Sequence, residues 1–157
     1  GSGKTSIGSI VSRKLKIEFI DIDHEIEKKA GMKIKKIFED KGEKNFREIE
    51  EHTTLKFLNK CKSVISLGGG AFLNNKIKEK VIENHISFWL NWDIKTLVDR
   101  IRDSKKRPIA VKSSKHELIN LIKKRSIVYS NAMYKIDCEN LTKNQIADKI
   151  IKIYEAL

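Results

Sequence analysis

Gly1-Ser2-Gly3-Lys4-Thr5 is the closing part of a G-x-x-x-x-G-K-[ST] phosphate loop. Glycines there let backbone N–H groups crowd a phosphate, the lysine amine reaches the terminal phosphates of a nucleotide, and the threonine hydroxyl suits Mg²⁺. The first glycine of the pattern would lie three residues before Gly1, together with the apolar strand that feeds such a loop. The expectation is therefore that the protein extends upstream by an apolar strand and a G-x-x lead-in. Asp21 and Asp23 follow at the end of an apolar stretch. On a strand, alternation points both carboxylates the same way, into the crevice at the carboxyl ends of an open α/β sheet. Carboxylates beside a phosphate loop repel ATP unless Mg²⁺ or a substrate hydroxyl engages them. Asp23 also suits the N-cap of the helical stretch behind it.

Weaker signals come next along the chain. In Phe46-Arg47-Glu48-Ile49-Glu50, Arg47 and Glu50 share a helical face and, read alone, form an ordinary surface pair. Gly68, Gly69 and Gly70 run directly out of the apolar Val64–Leu67. Three glycines there permit either a flexible turn or close approach of a ligand to the backbone. Lys105-Lys106-Arg107-Pro108 and Arg125-Ser126-Ile127-Val128-Tyr129 supply cations. A charge run is commonly solvated surface, but phosphoryl transfer also needs cationic groups that a closing loop can deliver.

Short apolar runs alternate with long amphipathic segments, the rhythm of a parallel α/β sheet with crossover helices. Ile7, Ile10, Val11 and Leu15 predict a helix from Lys4 to about Leu15; Ile17 to Ile22 reads as a strand. Two or three helices fill His24 to Lys60, punctuated by Gly31 and Gly42. Further strands are expected at 63–67, 86–90 and 134–137, and further helices around Ile77–Ile82, from Asp93 to Arg102, over 117–129 and from a Thr142 cap to Tyr154. Residues 104–116, polar, basic and holding the only proline, read as a mobile loop.

At 157 residues the chain is one domain, 1–157, with 39% hydrophobic and 34% charged residues. No apolar run reaches the roughly 18 residues of a membrane span and no signal peptide is visible, so a cytoplasmic location and no membrane partner are expected. Cys61 and Cys138 lack C-x-x-C spacing, which indicates neither a metal site nor a disulfide framework. The formal charge of +12 raises nucleic-acid binding, but the lysines are scattered over nearly every predicted helix and lack interleaved aromatics. No nucleic-acid partner is expected; part of the charge can steer anionic substrates.

In order, G-S-G-K-T, D-I-D, F-R-x-x-E, S-L-G-G-G, R-P and R-x-x-x-Y resemble the motif series of shikimate kinases over essentially the whole chain. The resemblance implies a P-loop kinase fold: a five-stranded parallel sheet flanked by helices, whose first strand this chain lacks. It also implies substrate-binding helices about 24–60 and a lid about 104–116. The implied reaction moves the γ-phosphoryl group of ATP, with Mg²⁺, to the 3-hydroxyl of shikimate, and the implied enzyme is a monomer. Carried over residue by residue, Asp23 binds shikimate hydroxyls and is the catalytic base. Arg47 and Arg125 grip the substrate carboxylate, Glu50 orients Arg47, and Gly68, Gly69 and Gly70 line the substrate side. Gly1, Ser2, Gly3, Lys4, Thr5 and Ser6 hold the nucleotide phosphates, Arg100 stacks on adenine, and Lys4 and the lid Arg107 act on the transferring group. Thr5 and, through water, Asp21 hold the metal. The alternative is another small-molecule P-loop kinase, such as a gluconate kinase.

Overall fold

Helix α1 (Lys4–Leu15) rises directly from the glycine loop, with Gly3 in the left-handed region (φ 85°) and its carbonyl accepting from the Ile7 amide at 2.9 Å. The structure, a computed structural model, describes residues 1–60, 62–102 and 114–157. Ile7 and Val11 bury one face of α1, while Gly8 lets the helix lie against β1 (Glu18–Asp21). A Cβ on Gly8 would stand 2.7 Å from the Phe19 ring. Asp21 ends the strand by capping α2 (Ile22–Ala30), its carboxylate accepting from the His24 amide at 3.3 Å. Gly31 at φ 64° stops that helix. The long α3 (Ile34–Leu58) contains a kink at Gly42, where φ 75° and ψ 171° interrupt the helical ladder. Gly31 and Gly42 thus punctuate this region as the sequence predicts.

Strand β2 (Ser63–Ser66) leads through the three glycines into a 3₁₀ turn (Ala71–Leu73) and α4 (Asn75–Asn84), capped by Asn74. Then follow β3 (Phe88–Asn91), α5 (Ile94–Arg102), α6 (Lys115–Tyr129), β4 (Tyr134–Asp137) and α7 (Lys143–Tyr154). Both α6 and α7 begin in full capping boxes, Ser114 with Glu117 and Thr142 with Gln145. Residues 114–116, assigned to the loop from sequence, therefore belong to the start of α6; a serine three residues ahead of a glutamate is itself a helix-start signal. The rest of the predicted lid, Arg107 included, lies outside the described residues.

Among the described residues the sheet consists of two parallel pairs, β1 with β2 and β3 with β4, rather than five continuous strands. All run the same way. β1 ends at Asp21 against Thr5, β2 runs out to Gly68 in the cavity that Gly1 and Ser2 line, and the residue after β3, Trp92, bonds to Ser2. β4 pairs in register with β3. Between β2 and β3 lies a slot, walled on one side by α1. The main core joins α1, α7 and the β3–β4 pair through Ile7, Val11, Ile136, Ile146 and Ile150; a second, around Ile22, Ile26, Ile37 and Phe46, seats α2 and α3.

Candidate active site

Two groups of residues meet at the carboxyl ends of the strands. The first is the phosphate loop. Gly3 uses its left-handed backbone to turn the chain into α1, and its neighbours Ser2 and Lys4 line the cavity. The Ser2 carbonyl accepts from the Trp92 indole N–H at 3.0 Å, tying the loop to the residue after β3. Trp92 is buried, so its N–H needs such a partner. Nothing in the spacing of Trp92 announced this role. Arg100 places its guanidinium 3.6 Å from the centre of the Trp92 ring. The adenine-stacking position expected for Arg100 is thus beside the loop, with the arginine resting on an indole. Ser6 is exposed on the first turn of α1. The Thr5 hydroxyl donates to Asp21 Oδ2 at 2.6 Å, bringing together the two groups assigned to the metal.

One expectation fails in its details. Asp21 and Asp23 do not alternate along a strand, because β1 stops at Asp21 and Asp23 lies in the first turn of α2. Asp21, not Asp23, is the cap. Helical geometry, not strand pleating, sends the Asp23 carboxylate toward Gly68.

The second group is built around the glycine run. A Cβ on Gly68 would stand 2.6 Å from Glu50 Oε1 and 2.8 Å from Asp23 Oδ1. On Gly70 it would collide with the Arg47 guanidinium, and at Gly69 it would meet Arg125 Nη1 at 3.7 Å. None of the three glycines adopts a positive φ. Their need is for space: the loop threads between Asp23, Arg47, Glu50 and Arg125, so it draws α2, α3 and α6 around one point. Tyr129 holds the loop from the other side, its hydroxyl donating to the Gly69 carbonyl at 2.6 Å. The R-x-x-x-Y spacing placed Arg125 and Tyr129 about one turn apart on α6, but gave the tyrosine no role.

Electrostatics divides the cluster. Arg47 Nη1 donates to Glu50 Oε2 at 2.6 Å, and Arg47 Nη2 donates to Glu43 Oε1 at 3.1 Å. Glu50 is 3% exposed, and burial pushes its pKa up, with the hydrogen bond and charge of Arg47 pulling the other way. Burial also opposes charge on Arg47, but Glu50 and Glu43 outweigh it and raise its pKa. Arg47 is therefore a fixed cation whose orientation comes from a buried carboxylate. Arg125 is also partly buried, and its Nε–H has no hydrogen-bond partner among the described residues. A guanidinium donor left open beside a second, pre-oriented guanidinium has the chemistry to pair with a small anion.

Lys4, Gly68, Gly69 and Arg125 line one cavity, so the phosphate loop, the glycine run and Arg125 face a common space, while Arg47 lines a neighbouring one with Glu48 and Asn74. A P-loop beside two half-buried arginines and a helical aspartate fits a small-molecule P-loop kinase. The sequence model of the shikimate kinase family matches residues 1–155. The chain belongs to the shikimate kinase family. It is 37% identical to the shikimate kinase of Thermodesulfovibrio yellowstonii over all of this chain and 91% of that protein. With the Caldicellulosiruptor bescii enzyme it shares 38% over 99% of this chain and 91% of that one. Among solved structures, the Acinetobacter baumannii shikimate kinase in complex with shikimate superimposes with a TM-score of 0.91 at 30% identity, covering 99% of this chain and 88% of that one. The Aquifex aeolicus enzyme gives 0.88 at 33% identity, covering 99% and 91%.

Proposed function

We propose that this chain transfers the γ-phosphoryl group of ATP to the 3-hydroxyl of shikimate, giving ADP and shikimate 3-phosphate. The observation that carries the site assignment is the packing of Asp23, Arg47 and Arg125 around Gly68–Gly70, of which Gly68, Gly69 and Arg125 line the cavity that Lys4 also lines. Shikimate is a carboxylate with hydroxyls. Arg47 and Arg125 pair with its carboxylate, Glu50 holds Arg47 in place, and Asp23 accepts the proton of the attacking hydroxyl. Positioning supplies most of the acceleration, because the loose transition state leaves little covalent work for the protein. Lys4 neutralises charge growing on the phosphoryl oxygens, and Arg107 of the segment outside the described residues joins it.

The Thr5 hydroxyl and Asp21 carboxylate, 2.6 Å apart, are hard oxygen donors of the kind Mg²⁺ takes. Among the described residues no cluster of three or more His, Cys, Asp or Glu could cage a metal alone. A hydroxyl, a carboxylate reached through water and the phosphates of the nucleotide suit Mg²⁺ in such a place. Bound there, Mg²⁺ supplies charge neutralisation at the β- and γ-phosphates. No helix among the described residues is long and apolar enough to cross a membrane. We infer a cytoplasmic enzyme acting as a monomer, since one chain furnishes both groups of site residues; light scattering at working concentration tests the monomer.

The deciding assay follows ADP release with shikimate, gluconate and nucleoside monophosphates in turn. Turnover with shikimate alone is expected. Turnover with gluconate or a nucleoside monophosphate, and none with shikimate, overturns the assignment.

A further inference from the structure

Trp92 stands between two parts of the nucleotide side that lie far apart in the chain. Its indole N–H donates to the Ser2 carbonyl inside the phosphate loop at 3.0 Å, and its ring carries the Arg100 guanidinium, with Cζ 3.6 Å from the ring centre. That distance is van der Waals contact, whereas the other cation–ring pairs among the described residues stand 5.3 to 5.9 Å apart. The indole is held firmly. It packs into the main core with Ile7, Val11, Ile136 and Cys138. On one side of it the Asn91 amide side chain donates to Asp137 Oδ1 at 2.6 Å, and the Asn91 carbonyl accepts from the Cys138 amide. On the other side the Asp93 amide donates to Glu139 Oε1 at 2.9 Å. Arg100 differs: it is exposed, and among the described residues no carboxylate forms a salt bridge with it. A flat cation with no acid partner, supported on one face by an indole, has its other face for a ligand. It also lies against the phosphate loop, since a Cβ on Gly1 would stand 3.9 Å from Arg100 Cβ.

We propose that Trp92 is a positioning residue for the nucleotide, joining the seat of its phosphates to the seat of its base, given ATP as the phosphoryl donor proposed above. The indole acts through two different atoms groups, its N–H and its π face. The N–H pins the carbonyl of the peptide that leads into left-handed Gly3. Because that peptide is planar and trans, fixing the carbonyl on Trp92 also fixes the Gly3 N–H, which points away from the indole. One of the backbone donors of the loop is thereby set before a phosphate arrives. The π face acts on Arg100. A long exposed arginine samples many rotamers, and resting on the indole removes that freedom in advance. Less order is then left to impose when a purine stacks on the open face of the guanidinium. One rigid side chain therefore serves both ends of the ligand, by a hydrogen bond at one and by stacking at the other.

Calorimetry on the protein, with Mg²⁺ and without shikimate, compares the affinities for ATP and for inorganic tripolyphosphate. Their ratio isolates the base. A variant that has lost part of its folded population weakens both ligands by the same factor, so the ratio does not register a merely structural defect. Trp92→Phe keeps an aromatic face and loses the N–H; it should weaken both ligands by about fivefold and leave the ratio within about twofold of the unaltered protein. Trp92→Leu loses both groups; it should weaken tripolyphosphate by about fivefold and cut the ratio by about a further fivefold. Arg100→Ala should cut the ratio as deeply as Trp92→Leu, leave tripolyphosphate nearly unchanged, and add nothing to the ratio lost in Trp92→Leu. A ratio unmoved by Trp92→Leu, or cut as deeply by Trp92→Phe, overturns the proposal. Equal weakening of ATP and tripolyphosphate by Arg100→Ala also overturns it, by giving Arg100 to the phosphates. The binding is read without an acceptor, so each of these failures leaves shikimate phosphorylation to its own assay. No binding of ATP to the unaltered protein would instead end the reading of ATP as donor, and the role of Trp92 with it.

Discussion

The proposed donor and acceptor sides of this site are built in opposite ways. The donor side is a single stretch, residues 1–5, shaped by one left-handed glycine and the helix it starts. The acceptor side draws Asp23 from α2, Arg47 and Glu50 from α3, the glycines after β2 and Arg125 from α6, packed so closely that a methyl group does not fit at two positions. One side depends on backbone conformation, the other on interlocked side chains. Mutations should therefore separate them: local changes at the loop affect ATP, whereas changes anywhere in the cluster affect shikimate and stability together.

The largest separation is expected at Asp23. Asp23→Asn should lower kcat by about 10²–10⁴-fold while ATP affinity stays nearly intact; near-normal kcat removes Asp23 from the base role. Arg47→Ala should raise the KM for shikimate far more than that for ATP. It should also cost roughly 3–5 kcal/mol in urea unfolding, because it leaves Glu50 buried without its partner. Adding Glu50→Gln to Arg47→Ala should recover part of the stability and none of the shikimate affinity. An unfolding midpoint unchanged by Arg47→Ala would mean that the pair is solvated and the two sides are not so different.

Gly70→Ala against Gly3→Ala compares the two uses of glycine directly. Gly70→Ala should destabilise by about 1–3 kcal/mol through overpacking and raise the KM for shikimate. Gly3→Ala should cost roughly 1–2 kcal/mol through its φ of 85° and weaken ATP instead. Equal effects of both on both substrates would dissolve the distinction.

An alkaline titration probes the core beneath the donor side, where burial pushes the Cys138 thiol from 9.0 up to about 11. A pKa raised in the fold gives stability that is present below the unfolded value and lost as pH rises toward the folded one. Stability should therefore fall by up to about 1.4 kcal/mol per pH unit between 9.0 and 11, and Cys138→Ala should flatten that limb. The smallest effect is expected for Tyr129→Phe. Loss of its bond to the Gly69 carbonyl should cost about 1 kcal/mol and move shikimate parameters before ATP parameters.

The legibility of each region follows from the same contrast. The loop, the Gly31 and Gly42 breaks and the Thr142 cap were readable because each depends on neighbours within a few residues. The direction of Asp23 was misread because a single strand-to-helix boundary, one residue earlier than expected, changes which way a side chain points. Trp92 and Tyr129 had no local signature, since the atoms they bond to are the Ser2 and Gly69 carbonyls, 90 and 60 residues away.

By itself the sequence determined the residue types available: a phosphate loop, closely spaced aspartates, arginines and a run of glycines, in an order that resembles one family. These are properties of residue types and short spacings, which backbone geometry converts directly into local form. Only the tertiary structure decided that the glycines serve as clearance for side chains, that Glu50 is the buried partner fixing Arg47, and that Trp92 stands between the Ser2 carbonyl and Arg100. Those facts depend on which distant surfaces exclude water from one another, and close packing settles that for the whole chain at once.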